Sequence, residues 1–264
     1  MNGLEAALLV QPQYARRNEW ERLAEQENLA FEVLELSMPP ALHNGIALRE
    51  QLSWYKIVGR CVSLHGAFMD INVASNDPEI RAVSQARCRE SCILAVELGA
   101  SQVVFHSSAY PYLDDDHVLD NWAMMCTEVY LPMAEEFQLT ICIENCLDQT
   151  PKGLRKLMEY SHSPKVRVCL DLGHVNYSPT PLEEWIAELG PYVDSLHLSD
   201  NRGQMDEHLP LGEGTVDWAK ASGLCAGFDW PIPMTLETGG PEGVAHSLGY
   251  LRRHEYFGLG VNST

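Results

Sequence analysis

Six apolar runs in this chain, CVSLH, SQVVFH, LTICIE, VRVCLD, VDSLH and PMTLE, close on His65, His106, Glu144, Asp171, His197 and Glu237. Sets of imidazole and carboxylate suit Zn, Mn, Fe or Co, whereas all-oxygen sets suit Mg or Ca. Successive members stand about one strand, one helix and two turns apart, so each such unit contributes one metal-ligating side chain. Glu144, Asp171, His197 and Glu237 would form one site of three carboxylates and an imidazole, hard enough for Mn or Co beside Zn. Two segments enlarge the set. His174 follows Asp171 by three residues in LDLGHVNYS, and Asp206 and His208 lie in MDEHLPLGEG.

The elements that must position these residues alternate from end to end. Strand patterns fall at 6–11, 31–37, 61–65, 102–106, 140–145, 166–171, 193–199 and 232–237. Helical patterns fall at 18–28, 45–55, 77–98, 115–136, 151–160, 181–189, 216–221 and 241–253. Eight such units in 264 residues predict a single (β/α)₈ TIM barrel over residues 1–264, because alternating strands and helices build a parallel sheet. An open doubly wound sheet would instead gather its ligands at one crevice. Asp77-Pro78 and Thr180-Pro181 read as helix starts, and Gly99 as a helix stop. Side chains alternate along a strand, so the terminal ligands place Ser63, Thr140, Cys142, Ser195 and Thr235 inside the barrel. The same parity turns Val62, Leu64, Ile141, Ile143, Leu196, Met234 and Leu236 towards the helices. The ligands then sit at strand C-termini, where barrel enzymes carry their active sites.

With 45% hydrophobic residues the chain can bury one sizeable core. Its 18 basic and 37 acidic residues give a net charge of −19. That charge counts against nucleic acid as a partner, since Lys and Arg neutralising phosphates supply most of that affinity. No apolar run of about 18 residues predicts a membrane span, and the N-terminus has no basic region followed by a cleavage site. A cytoplasmic location is the expectation. The eight cysteines include no C-x-x-C pair and read as reduced packing residues rather than a thiolate zinc site.

LHGAFMDINVAS, VVFHSS, CIENC, CLDLGH, LHLSDN, DEHLPLGEGTVDW and TLET, in that order, resemble the xylose-isomerase-like TIM-barrel superfamily, which also contains the apurinic endonuclease IV family. The resemblance runs roughly from Cys61 to Thr238. It implies a divalent metal (Zn, Mn or Co) on Glu144, Asp171, His197 and Glu237. In the sugar isomerases and epimerases of the superfamily, the residues matching Glu144 and Glu237 also exchange protons with the substrate carbons. His65, His106, His174 and Arg202 would then contact a sugar or sugar phosphate. The endonuclease IV branch implies instead up to three zinc ions and phosphoester hydrolysis, with His65, His106, Glu144, Asp171, His174, His197, Asp206, His208 and Glu237 matching all nine ligands. The isomerase or epimerase is the first expectation and the hydrolase the alternative. A lyase and a non-catalytic sugar-binding barrel are further possibilities, and a homodimer follows by analogy with related barrels.

Other conspicuous residues have simpler readings. Asp114, Asp115 and Asp116 suit a helix N-terminus, where negative charge meets the positive end of the helix dipole. His43, His162, His246 and His254 read as surface residues. Trp20, Trp122 and Trp185 read as core packing, and Trp218 as a residue beneath the LGEG loop.

Overall fold

The computed structural model describes residues 8–38, 45–111, 114–228 and 231–260. Eight strands, all parallel to their neighbours, close into a barrel in sequence order. They are β1 Leu8–Val10, β2 Ala30–Val33, β3 Cys61–His65, β4 Gln102–His106, β5 Thr140–Glu144, β6 Val166–Asp171, β7 Val193–Leu198 and β8 Met234–Leu236. The helices are α1 Arg17–Glu27, α2 Gly45–Val58, α3 Pro78–Leu98, α4 Asp116–Phe137, α5 Lys152–Ser161, α6 Leu172–Tyr177, α7 Leu182–Leu189, α8 Trp218–Cys225 and α9 Gly240–His254. The (β/α)₈ expectation therefore holds. Among the described residues no helix is long and apolar enough to cross a membrane.

Most element ends shift by one to four residues from the sequence pattern, and two departures are larger. Residues 31–37 do not form one strand: β2 stops at Val33, and Glu35–Ser37 make a 3-10 turn. Helix α6 interrupts the β6–α7 connection directly after Asp171, where a loop is the natural reading. His43 and the start of the 6–11 strand pattern lie outside the described residues.

Of the two Pro-marked helix starts, Asp77 acts as its chemistry requires and Thr180 does not: Thr180 Oγ1 donates to the Gln149 carbonyl at 2.7 Å, and Pro181 stands at the N-cap of α7 without a side-chain cap bond. Asp77 accepts from the backbone N–H groups of Glu79 and Ile80, and Asp115 from those of His117 and Val118, satisfying donors that a helix start leaves unpaired. Gly99 stops α3 in the left-handed conformation. Asp114 binds Lys152, so the acidic run belongs to a helix entrance and its neighbours. His162, His246 and His254 are exposed, whereas Trp20, Trp122 and Trp185 are buried.

Parity along the strands separates two cores. Leu64, Ile141, Ile143, Leu196, Met234 and Leu236 pack with the helices in the large outer core. Val104, Cys142 and Cys169 form a separate small apolar plug, placed inside the barrel by strand parity. Ser63, Ser195 and Thr235 are also buried. Thus the ring of strand-terminal residues rests on a packed floor rather than on an open channel.

Candidate metal centre

Adjacent strand ends assemble the centre. Register pairs His106 with Glu144 across β4 and β5, and Asp171 with His197 across β6 and β7, so ligand-type residues leave the sheet side by side. Asp171 then caps α6 by accepting from the His174 backbone N–H at 2.6 Å. That one-turn link brings His174 to the same mouth. Between them Gly173 leaves no room for a side chain, because a Cβ there would lie 2.4 Å from Ser199 Oγ. Asn145 joins β5 to β6: its Nδ2 donates to the Asp171 carbonyl at 3.0 Å and its Oδ1 accepts from the Asp171 N–H at 2.8 Å.

Asp206 and His208 arrive from the long β7–α8 connection, which is wrapped around buried Asp200. This carboxylate accepts from the backbone N–H groups of Asn201 (2.9 Å), Gly212 (2.8 Å) and Val216 (3.1 Å) and from Trp218 Nε1 (3.0 Å). A Cβ at Gly214 would lie 2.1 Å from Asp200 Oδ1, so LGEG is the wrapping of a loop about one side chain. Trp218 lies buried under it. A bridge between Asp200 and Leu209 folds the connection back, with Asp206 and His208 on the turned segment.

All nine residues singled out as multinuclear ligands meet in one network of contacts. Nε2 of His65 and of His106 lie 3.4 and 3.6 Å from Glu144 Oε2. On the other oxygen, His174 Nδ1 lies 3.2 Å from Glu144 Oε1. His174 Nε2 is 3.3 Å from Asp206 Oδ2, which also contacts His208 Nε2 at 2.8 Å. His197 Nδ1 sits 3.3 Å from Glu144 Oε2 and 3.1 Å from Glu237 Oε1. Asp171 lies 3.7 Å from His174, and its ligand atoms cluster with those of Glu144 and His174 within 4.8 Å. His65, His106 and Glu144 form another such cluster.

Two residues of the network carry no signal in the strand-end pattern. Glu32, in mid-β2, puts Oε1 3.1 Å from His197 Nε2. Gln11, just beyond β1, donates through Nε2 to Glu32 at 3.1 Å and to Glu237 in a short bond. Phe31 and Val33 pack in the outer core, so alternation turns Glu32 into the barrel, although β2 ends on no ligand type that would fix its inward face from the sequence. Arg202, expected to contact substrate, instead pairs with Glu207 at the surface, its side chain 61% exposed.

Could these residues hold metal? Glu144 Oε2, Asp171 Oδ2 and both ring nitrogens of His197 are buried without an aligned hydrogen bond. Buried polar atoms are ordinarily paired; His197 Nε2 has Glu32 Oε1 beside it at 3.1 Å, so the other three atoms are the ones that call for an ion in the expected central site. Ligands about 2.1 Å from one ion stand roughly 3.0–3.4 Å apart at octahedral or tetrahedral angles, which matches the contacts around His197. Four buried carboxylates, Glu32, Glu144, Asp171 and Glu237, also need compensating charge. The donor set fits one or more Zn, Mn or Co ions.

The electrostatics follow from burial against mutual attraction. Burial disfavours the Glu144 carboxylate, yet the charges of His197 and His106 and a bond to His174 hold it well below the usual carboxylate range. Burial pushes Glu237 up to about 7, with the Glu144 and Asp171 charges adding and His197 opposing. Asp171 is also raised, chiefly by burial. His106, less well compensated, is pushed down by burial to about 4. His174 and His197 lie well above the usual imidazole range because their acidic neighbours outweigh burial.

Comparisons with known proteins agree with this architecture. A Thermus thermophilus protein solved after soaking with ZnCl2 is 26% identical, with a TM-score of 0.76, over 94% of this chain and 97% of its own. A D-tagatose 3-epimerase-like protein is 23% identical, with a TM-score of 0.71, over 85% of this chain and 87% of its own, which speaks to the fold alone. A Mycobacterium ulcerans protein named "Probable endonuclease 4" is 22% identical over 209 residues, 75% of this chain and 81% of that protein. An uncharacterised protein of Methanocaldococcus jannaschii is 30% identical over 168 residues, 60% of this chain; the chain spans only 57% of its length, and 62% and 54% of two further uncharacterised relatives. The family model described as "Xylose isomerase-like TIM barrel" matches residues 23–254, and the chain belongs to that family.

Proposed function

We propose that this protein is a multinuclear divalent-metal enzyme that hydrolyses a phosphate ester of a small molecule. One observation carries the reading: Glu144 stands between two ligand groups, with His65 and His106 beside Oε2 and, beside Oε1, His174, whose far nitrogen Nε2 reaches Asp206 and through it His208. A one-metal isomerase uses Glu144, Asp171, His197 and Glu237 and leaves the other five for substrate. Asp206 is engaged by two histidines, and Arg202 is engaged by Glu207, so both are poorly disposed for that task.

Closely spaced divalent ions supply electrostatic stabilisation of the attacking and leaving oxygens of an in-line displacement. Around them, Glu144 presents an oxygen to each ligand group and keeps its negative charge. Asp206 and His208, with side chains 34% and 41% exposed, stand at the lip, where a phosphate ester would arrive. Glu237, 3.1 Å from His197 Nδ1, would hold the buried ion as an ionised ligand. The net charge of −19 opposes a long polyanion, and a small ester suffers that repulsion least.

The test is release of 4-nitrophenolate from bis(4-nitrophenyl) phosphate and 4-nitrophenyl phosphate by Zn- or Mn-loaded protein, beside a panel of ketoses and their phosphates. Release that chelator abolishes and metal restores is expected. Interconversion of a ketose without any release would overturn the hydrolase.

That outcome would favour a second reading, the metal-dependent sugar or sugar-phosphate isomerase or epimerase. The observation behind it is that Glu144 and Glu237 flank His197 Nδ1 at 3.3 and 3.1 Å, two carboxylates positioned as opposed proton carriers. Under that reading Glu237→Gln abolishes isomerisation with the fold intact.

A further inference from the structure

Glu144 and Glu32 are both buried carboxylates touching His197, yet their oxygens are used differently. Glu144 Oε2 has no aligned hydrogen bond. Both oxygens of Glu32 are engaged: Oε1 contacts His197 Nε2 at 3.1 Å and accepts from Gln11 Nε2 at 3.1 Å, and Oε2 accepts from Ser63 Oγ at 2.9 Å. Glu32 lies close enough to His197 and Glu237 to share an ion, but bonds from Gln11 and Ser63 occupy both of its oxygens and mark it as a support. The two ring nitrogens of His197 also point apart. Nδ1 faces Glu144 and Glu237, while Nε2 faces Glu32, so one ion cannot use both.

We infer that Glu32 is a positioning residue for the metal centre: it holds the proton of His197 on Nε2 and thereby leaves the Nδ1 lone pair for the metal, with Gln11 and Ser63 fixing the carboxylate. This inference rests on the metal centre of the proposed function. A hydrogen bond to the far nitrogen of a ligating histidine sets its tautomer and ring orientation and raises its basicity. Gln11 extends the support, because the same Nε2 also donates to Glu237 Oε1, tying the partner of His197 Nε2 to one of the carboxylates beside Nδ1. The β1–β2 side of the barrel, which lacks a strand-terminal ligand type, thus supplies the brace for ligands carried by β7 and β8.

The test compares wild type, Glu32→Ala and Glu32→Gln by competitive zinc titration and by NMR of ¹⁵N-histidine protein, with circular dichroism to confirm folding. In zinc-loaded wild type the proton is expected on His197 Nε2 and zinc on Nδ1. Glu32→Ala should weaken one zinc equivalent by about 10–100-fold, and Glu32→Gln, whose amide oxygen still accepts the Nε2 proton, should recover most of that loss. Zinc on Nε2, or a folded Glu32→Ala protein that binds every equivalent as wild type does, would overturn the inference. If Glu32→Ala fails to fold, the tautomer in wild type and the titration of Glu32→Gln decide, and a folded Glu32→Gln as weak as about 100-fold below wild type would overturn it. Wild type that binds no zinc would fail the proposed function itself, and the inference with it.

Discussion

Asp206 Oδ2 and His208 Nε2 are joined at 2.8 Å within one turn of the β7–α8 connection, and the same oxygen reaches His174 at 3.3 Å. His174, 32 residues upstream of Asp206, thereby joins the Asp206–His208 pair in one chain at the lip. If this chain holds its own ion, Asp206→Ala should bind one equivalent fewer than wild type while the buried Glu144–Asp171–His197–Glu237 group stays loaded. Phosphoester turnover should fall by at least about 10–100-fold, the loss typical when a metal site's supporting partners are removed. Elemental mass spectrometry and nitrophenolate release would check both, and unchanged metal content would contradict the assignment.

Metal uptake should release protons. Burial disfavours the charged form of His208, yet Asp206 and the nearby carboxylates raise it to about 9, and His174 and His197 also lie well above the usual range. Ligands must lose those protons to bind metal, so apparent zinc affinity should increase from pH 6 to pH 9. Proton release in a lightly buffered titration would show it; pH-independent uptake without release would contradict it.

The metal-free protein should show the opposite trend in stability. The raised His208 contributes fully below its ordinary 6.5 and loses that contribution as pH rises through about 9. Asp206, held below its ordinary 3.8, contributes above that value and loses it as pH falls through the depressed one. The pair is thus fully favourable between 3.8 and 6.5. Urea midpoints of chelator-treated protein should be lower at pH 9.5 than at pH 6, and the difference should shrink in His208→Ala.

Asp200 offers a test of the loop that carries these residues. Replacing it by Ala removes one buried acceptor and strands donors on Asn201, Gly212, Val216 and Trp218. A loss of about 3–5 kcal/mol is expected from buried donors left unpaired. Urea unfolding at pH 7 measures it, and a loss under about 1 kcal/mol would show that the loop does not depend on this carboxylate.

Much of the centre was legible because residues that end an apolar run must emerge at one rim of a parallel sheet. His65, His106, Glu144, Asp171, His197 and Glu237 follow that rule, and the capping residues Asp77 and Asp115 follow local rules of their own. Glu32 escaped because it lies inside β2, where a buried carboxylate is recognisable only from what stands across the barrel. Gln11 lies beyond a three-residue strand, and its partners Glu32 and Glu237 are 21 and 226 residues away. Arg202 pairs with Glu207 of the same connection, a contact that the strand ends do not encode because the path of that loop is set by Asp200. Helix α6 depends on the Asp171 side chain turning back to cap it, an event the strand pattern does not encode.

Metal content per chain tests the central claim most directly, measured by elemental mass spectrometry on protein purified without chelator and supplemented with Zn or Mn. Two to three tightly held equivalents are predicted, falling by one in Asp206→Ala. A single equivalent, unchanged in Asp206→Ala, would contradict the multinuclear centre and favour the two-glutamate isomerase.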